Sequence, residues 1–328
     1  MIRSNNFRFK LSDVIDYFGS DSKIDFELHC FSILKNPKSN SVFYVKALDE
    51  KQYENICQVE NAIIFLKEGI LNPAQIEALS SNNFLVVTQS PRLDLFKFAC
   101  HLSDNIITAK KLDYNFVNGS AVCTEAKIDE TVLIEPGAYV GSNVTIGKNT
   151  IIKSGARIND NVSIGNNCFI GCNTVVGGHG FGGEKDTDGF IYMMPHVGGV
   201  IIKDYVMTGA LVTIVSGTIE PTIIGEHSKI DDHVHVAHNS VVGKSCFITA
   251  CAQLGGSDVL GNDVWIGPNA SMMQNITVGN NVTIGLGAVI TKNVPEGQTM
   301  VGNPADTVEN FVRQRRDVKK LLDENKSK

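Results

Sequence analysis

The stretch Ile224-Gly-Glu-His-Ser-Lys-Ile230-Asp-Asp-His-Val-His-Val236-Ala-His-Asn-Ser-Val-Val242 sets an aliphatic residue at every sixth position. The phase continues through Ile248, Leu254, Leu260, Ile266, Met272, Val278, Ile284 and Ile290. An earlier run with the same spacing holds Ile128, Ile134, Val140, Ile146, Ile152, Ile158, Ile164, Ile170 and Val176. Two residues before these stands a mostly small or β-branched residue, as in Ala138, Thr150, Cys168, Ala252 and Ala270. Gly often follows, as in Gly147, Gly165, Gly225, Gly243 and Gly261. A period of six matches neither an α-helix nor an independent alternating strand. It matches a β-solenoid in which each hexad forms one flat face and three hexads close a triangular coil. The aliphatic side chains then point to the axis and stack coil on coil, and Gly or Asn is expected at the sharp corners.

Working outward, the solenoid is expected over residues 126–305, with one excursion at 177–199. The phase breaks through Gly177-Gly-His179-Gly-Phe181-Gly-Gly183 and the polar stretch Glu184–Gly189, and it resumes at Ile202, Thr208 and Ile214. A shorter irregularity surrounds Glu220-Pro221. The excursion carries Phe181, Phe190, Ile191, Tyr192, Met193 and Met194, too apolar for a solvated loop, so a neighbouring subunit or a ligand is expected against it. Residues 1–104 lack the hexad period. Ser12 is read as the cap of a short helix, Ile24, Phe26 and Leu28 as a strand, and Val42–Val45, Ala62–Leu66 and Phe84–Val87 as further strands. Ser90-Pro91 opens a helix with Pro at its first position. Strands alternating with helices imply a small α/β domain. Residues 105–125 read as a connector. Over 306–328, Val308, Phe311, Val312, Val318, Leu321 and Leu322 recur at helical spacing opposite Arg313, Arg315, Arg316, Lys319 and Lys320, an amphipathic basic helix.

The 328 residues are 43% hydrophobic and 20% charged, which implies folded domains rather than a disordered chain. A net charge of −6 gives no reason to expect nucleic-acid binding. No apolar run approaches the roughly 20 residues a membrane helix needs, and the first residues lack the apolar core of a signal peptide. The cysteines are scattered without CxxC pairs, so the expectation is a reduced, cytoplasmic protein.

The densest polar cluster is Asp231-Asp-His233-Val-His235-Val-Ala-His238-Asn239. Val234 and Val236 keep the hexad phase, which sets His238 just past a core residue, near a corner. An imidazole there is a candidate general base, because its ordinary pKa lies near 6.5. A solvated surface histidine is the plain alternative. Three histidines in so short a stretch also raise a metal site; His233 and His235 share strand parity, but His238 joins them only around a corner, so no metal is expected.

Together with Ser41-Val-Phe-Tyr-Val-Lys46, Gly180-Phe-Gly182, Pro195-His196-Val-Gly198 and Thr222-Ile-Ile-Gly225, this cluster resembles the UDP-3-O-acylglucosamine N-acyltransferases of lipid A biosynthesis. The resemblance spans essentially the whole chain. It implies a uridine-binding domain, a left-handed parallel β-helix and a C-terminal helix, assembled as a homotrimer with active sites between subunits. It further implies His238 as general base, the Gly256 N–H as oxyanion donor, and Phe43 stacked on uracil. Lys46, Asn239, His235 and His196 are then expected to contact substrate. Lys292, the Gly302–Ala305 turn, Arg315 and Arg316 are expected to meet an acyl-CoA or acyl carrier protein donor, with no other cofactor. The chemistry agrees with these roles: an amine attacking a thioester needs a base and an oxyanion donor, and no metal.

The chain also departs from that family. Thr213-Ile-Val-Ser-Gly217 replaces an expected Thr-Ile-Asp-Arg-Gly, Asn275 stands near an expected second histidine, and Lys46 takes the place of an asparagine. Ala288–Pro295 and Val301–Ala305 look more like the small-sugar acetyltransferases of surface-polysaccharide pathways. The reading favoured from sequence is therefore an N-acyltransferase for a nucleotide-linked amino sugar in surface-polysaccharide or lipopolysaccharide synthesis. Strict lipid A N-acylation is the second reading, a γ-carbonic-anhydrase-like metalloenzyme the third, and a purely structural solenoid the last.

Overall fold

In a computed structural model, residues 6–106, 111–302 and 307–326 are described, apart from the side chains of 311, 321 and 324–326. The hexads form a left-handed parallel β-helix with three sheets of ten, nine and eight strands. Most rungs are two residues long, one pointing out and one pointing in. Backbone bonds run coil to coil, as in Lys229 N–H to Cys246 C=O at 2.8 Å and Phe247 N–H to Val264 C=O at 2.8 Å. Register follows the sequence phase: His235 pairs with Gln253, Gln253 with Ser271, and Ser271 with Val289.

The inward aliphatics and the small residues two positions earlier form one continuous core from Ala138 to Val294. Hydroxyls in the small-residue column are satisfied between coils. Ser228 Oγ donates to Gly243 C=O at 2.9 Å and accepts from the Cys246 N–H at 3.0 Å. Thr150 does the same with Gly165 and Cys168.

The corners divide the expected work of Gly and Asn in two. The left-handed residue lies three positions after the core aliphatic and is often Asn, as in Asn143, Asn161 and Asn281. The Gly next to the aliphatic has a different reason. A Cβ on Gly243 would fall 2.2 Å from Gly261 O, so its place is set by the close approach of the next coil.

The expected connector contains an antiparallel hairpin, Tyr114–Val117 with Ser120–Cys123. Its second strand pairs in parallel with Tyr139–Val140 and is already a solenoid rung, so the coils begin earlier than the hexad pattern signals. Helix α4, Val308–Lys326, follows the last rung, and Val308, Val318 and Leu322 on it are exposed in the single chain. Among the described residues no helix is long and apolar enough to cross a membrane.

The N-terminal segment holds a four-stranded parallel sheet in the order Cys30–Phe31, Ser41–Val45, Ile63–Lys67, Phe84–Thr88. Helices α1 (Glu50–Cys57) and α2 (Pro73–Ser80) cover one side, where Phe43, Ile64 and Leu66 pack with Ile56 and Leu79. Helix α3 (Pro91–His101) covers the other, packing Leu95 and Phe98 on Val42, Ile63 and Phe65. Both helices α1 and α2 begin with capping boxes, Asp49 with Gln52 and Asn72 with Gln75. Ser12 does not cap a helix; it lies within a short 3-10 turn, Leu11–Asp13, whose cap position is Lys10. The strand expected at Ile24–Leu28 is reduced to Glu27–Leu28, paired with Phe9–Lys10.

The excursion folds as a hairpin, Gly183–Lys185 with Ile191–Met193. It packs on the chain's own α3, while Phe181, Phe190 and Ile191 of the excursion stay exposed in the single chain. Met194 and Val197 join the same core as Leu95 and Phe98. Arg92 pairs with Glu184 at 2.6 Å.

The close approach at Gly243 generates a stability prediction. Gly243→Ala should force adjacent coils apart and cost about 1–3 kcal/mol, read as a lower denaturation midpoint.

Candidate active site

His238 stands at the corner between the rungs His235–Val236 and Val241–Val242. Its Nδ1 lies 3.1 Å from Asn239 Oδ1. That oxygen also accepts from the Thr218 N–H at 3.2 Å and from Thr218 Oγ1, while Asn239 Nδ2 donates to Glu220 C=O at 3.0 Å. With the amide fixed this way round, its oxygen can only accept. His238 Nδ1 therefore carries the hydrogen, and Nε2 is left as a free proton acceptor.

The partners of Asn239 come from the irregular segment around Glu220-Pro221. That segment is held by the end of the excursion: Val197 N–H donates to Thr218 C=O at 2.9 Å and Gly198 N–H to Gly217 C=O at 2.9 Å. The two breaks in the hexad phase thus pair with each other beside His238.

The residue one coil beyond His238 is Gly256. A Cβ there would lie 2.8 Å from His238 Cε1 and 2.9 Å from Nε2, so the imidazole rests directly over the glycine. At ordinary corners the N–H in this position is capped by a side chain one coil on, as Lys244 N–H is by Asn262 Oδ1 at 2.9 Å and Lys148 N–H by Asn166 Oδ1 at 2.8 Å. Beyond Gly256 the matching residue is Gln274, and no such bond forms. Among the described residues, the Gly256 N–H donates to no acceptor. The corner thus offers a base nitrogen beside a free backbone donor.

The excursion brings two further histidines. The rings of His179 and His196 lie 5.0 Å apart, and those of His196 and His238 5.2 Å apart. His196 Nδ1 is 2.9 Å from Met194 O; a carbonyl only accepts, so this nitrogen carries the hydrogen. Nε2 is then a bare acceptor, buried and without a partner. Burial first, then His179 and His238, push the His196 pKa down to about 4. His179 was not singled out from sequence, although the Gly-His-Gly pattern at the break was visible.

Several expected contacts are placed differently. Phe43 is completely buried between the sheet and α1–α2, which leaves no face for uracil and makes it a core residue. Asn239, expected to contact substrate, has its side chain committed to Thr218, Glu220 and His238, where it orients the imidazole. His235 lies on the flat face with Nδ1 2.7 Å from Thr213 Oγ1; burial, then His238, lower its pKa. His233 turns away at an exposed left-handed corner (φ 60°). Among the described residues, no group of three His, Cys, Asp or Glu is placed to hold a metal.

Lys46 is exposed and lines a cleft of about 290 Å³ with Lys67, Ser90, Arg92 and Lys185, where the parallel strands end and α3 begins. Lys292 occupies the same corner column as His238, Gly256 and Gln274, three coils from the imidazole. At a strand spacing near 4.8 Å that is about 14 Å. Gly302 folds back against Gly287 and Ala288. Ala305 lies outside the described residues, and Arg315 and Arg316 are exposed on α4.

Residues 125–160 and 259–292 match the family of bacterial transferase hexapeptides, and 161–179 the hexapeptide repeat of succinyl-transferase. These matches fall within the coils of the β-helix, so the hexads seen in the structure are hexapeptide repeats of the kind those families describe. In sequence the chain is similar to the UDP-3-O-acylglucosamine N-acyltransferases. It is 37% identical to that of Fusobacterium nucleatum over 220 residues, 62% of each chain. A Coxiella burnetii relative of the same name is 43% identical over 88 residues, 27% of this chain and 26% of its own. The chain thus spans less than two thirds of the length of these relatives. Its fold is shared with Arabidopsis UDP-N-acetylglucosamine acyltransferase, with TM-score 0.50 and 21% identity over 56% of this chain and 63% of that one.

The histidine environments can be read by nitrogen NMR. His196 should stay neutral down to about pH 4 with hydrogen on Nδ1. Because its folded pKa lies below its unfolded value, its contribution to stability is full above about pH 6.5 and is lost as pH falls toward 4. Asn239→Ala should release the tautomer of His238 and leave that of His196 unchanged.

Proposed function

We propose that the chain is an N-acyltransferase that moves an acyl group from a thioester to the amine of UDP-3-O-acylglucosamine. The observation that carries the chemistry is His238 Nε2, left as acceptor by Asn239, over a Gly256 N–H that has no partner. The relatives' names carry the substrate, and they favour the lipid A reading over the wider one drawn from sequence.

The step balances without any other group. The neutral amine attacks the thioester carbon, and His238 Nε2 takes a proton from nitrogen. The Gly256 N–H meets the oxyanion of the tetrahedral intermediate. Collapse forms the amide and expels the thiolate, which receives the proton from the imidazolium. His196 Nε2, bare and buried beside His238, serves as an acceptor for a hydroxyl or amine hydrogen of the sugar. Lys46 and Lys67 give the diphosphate a cationic cleft.

The donor runs down the corner from Gly256 past Gln274 to Lys292, whose ammonium meets the phosphate that both acyl carrier protein and CoA attach to their thiol arm. Three copies complete the site, with His238 in the groove between them. Half-exposed Met207, Phe247 and Trp265 on one outward face, the last two stacked at 4.8 Å, support burial of that face against another copy.

His238→Ala should lower turnover by roughly 10²–10⁴ with the fold intact. Near-normal activity at pH 7 removes His238 from the mechanism. His235→Ala should do much less.

Lys292→Glu should raise the Michaelis constant for the donor while leaving that for the UDP sugar unchanged. Carrier protein and acyl-CoA are assayed side by side, with Arg315→Glu/Arg316→Glu as a second variant. A salt-sensitive loss in that variant confined to carrier protein assigns α4 to a protein donor; an equal, modest change with both assigns the local contact at Lys292.

A further inference from the structure

The inward column of the solenoid is Ala, Val, Ser, Thr, Cys or Ile at nearly every described coil, as in Val234, Ser240, Cys246, Ala252, Val264, Ala270 and Ile276. Asp258 breaks the series. It is completely buried, among aliphatic neighbours such as Leu254, Leu260 and Ile276. An ionised carboxyl in such a place costs stability unless something there requires it. No cation offsets the burial: its ionisation is set by burial, which raises its pKa to about 6, against two backbone N–H groups that lower it.

The neighbouring coils show what a residue in this column must do. Thr150 and Ser228 accept the N–H one coil on, from Cys168 and Cys246 respectively. Asp258 does the same through Oδ1, which accepts from the Ile276 N–H at 2.8 Å. A serine therefore meets the structural need. What the carboxylate adds is its second oxygen, which turns back within its own coil and accepts the Gly255 N–H at 2.8 Å.

Gly255 is held at its other end as well, where its carbonyl accepts from Ser240 Oγ at 3.0 Å. That carbonyl is thus tied to the interior. Across a trans peptide the following N–H points the opposite way. The following N–H is that of Gly256, beneath the His238 ring.

We infer that Asp258 is a positioning residue: by gripping Gly255 it aims the Gly256 N–H into the groove, and it ties the oxyanion donor to the ionisation of a buried acid. This rests on the reading of Gly256 as that donor. A proton on Oδ2 would face the Gly255 N–H and break the grip. Ser240 on the coil above and Ile276 on the coil below bring no titratable group; among the described residues His238 rests on the same corner, with His196 beyond it at 5.2 Å.

The test compares wild type, Asp258→Ser, Asp258→Asn and His238→Ala, with acyl carrier protein thioester as donor and UDP-3-O-acylglucosamine as acceptor. Asp258→Ser keeps a partner for Ile276 and should fold, with a melting temperature at pH 7 no lower than wild type. Its kcat should fall by roughly tenfold or more, short of the roughly 10²–10³ for deleting a donor outright, with both Michaelis constants unchanged. The acid limb of its kcat profile should lose one ionisation, as should that of Asp258→Asn. Hydrogen exchange at the Gly255 amide should accelerate. Folded Asp258→Ser with wild-type kcat and an unchanged pH profile, beside an inactive His238→Ala, overturns the role of Asp258 and leaves the site standing. If His238→Ala is also active, the reading of the site itself fails. A loss of kcat that tracks a lowered melting temperature makes Asp258 merely structural and likewise overturns the inference.

Discussion

Everything at this site depends on the parallel register between successive coils. Backbone bonds lock each rung to the next with a fixed offset, so a residue's neighbours along the axis are chosen by sequence separation alone. The register turns His238, Gly256, Gln274 and Lys292 into a column on one corner. It also makes each corner residue answerable to the one above it. A side chain at 256 would strike the imidazole at 238, and a short amide at 274 would cap the N–H at 256, as Asn262 caps Lys244. The free donor thus follows from two local choices, glycine at one level and a residue other than Asn or Asp at the next.

A perfectly regular solenoid supplies columns but no means of orienting a base. That comes from the two places where the repeat fails. The excursion and the bulge at Glu220-Pro221 lie on neighbouring coils and hydrogen-bond to each other. Their shared product is a rigid acceptor for His238 Nδ1, since Thr218 and Glu220 fix the Asn239 amide from both ends. The excursion gains its own rigidity from the N-terminal sheet through Met194 and Val197, packed under α3. The small domain is thereby coupled to the His238 corner through a hydrophobic core.

The solenoid was legible because its signal is redundant: one inward phase is repeated along most of the chain, and any stretch of it predicts the rest. The N-terminal sheet was less so. In a parallel sheet covered on both sides, alternation distinguishes the two faces without saying which is exposed. Phe43, which the resemblance places on uracil, lies on the face that α1 and α2 cover, and their packing makes it core. The two helices carry their signals in the capping boxes Asp49–Gln52 and Asn72-Pro73–Gln75 and not in apolar runs. The task of Asn239 was not legible at all, because its partners lie in the one segment where the periodicity stops predicting neighbours.

Asp258 shows the opposite situation, in which the sequence carries a sharp signal as an exception to the hydrophobic periodicity. The phase that identifies Leu260 as inward makes position 258 inward too, and a carboxyl there conflicts with the rule that built the fold. Such conflicts persist where the charge does something a neutral residue cannot. A hydroxyl can bridge two coils, as Ser228 does, but it has one oxygen and is used up in the bridge. A carboxylate has two, and the second is free to hold a backbone N–H on its own coil. The difference between Ser228 and Asp258 is thus one additional restrained peptide, and it is the peptide next to Gly256.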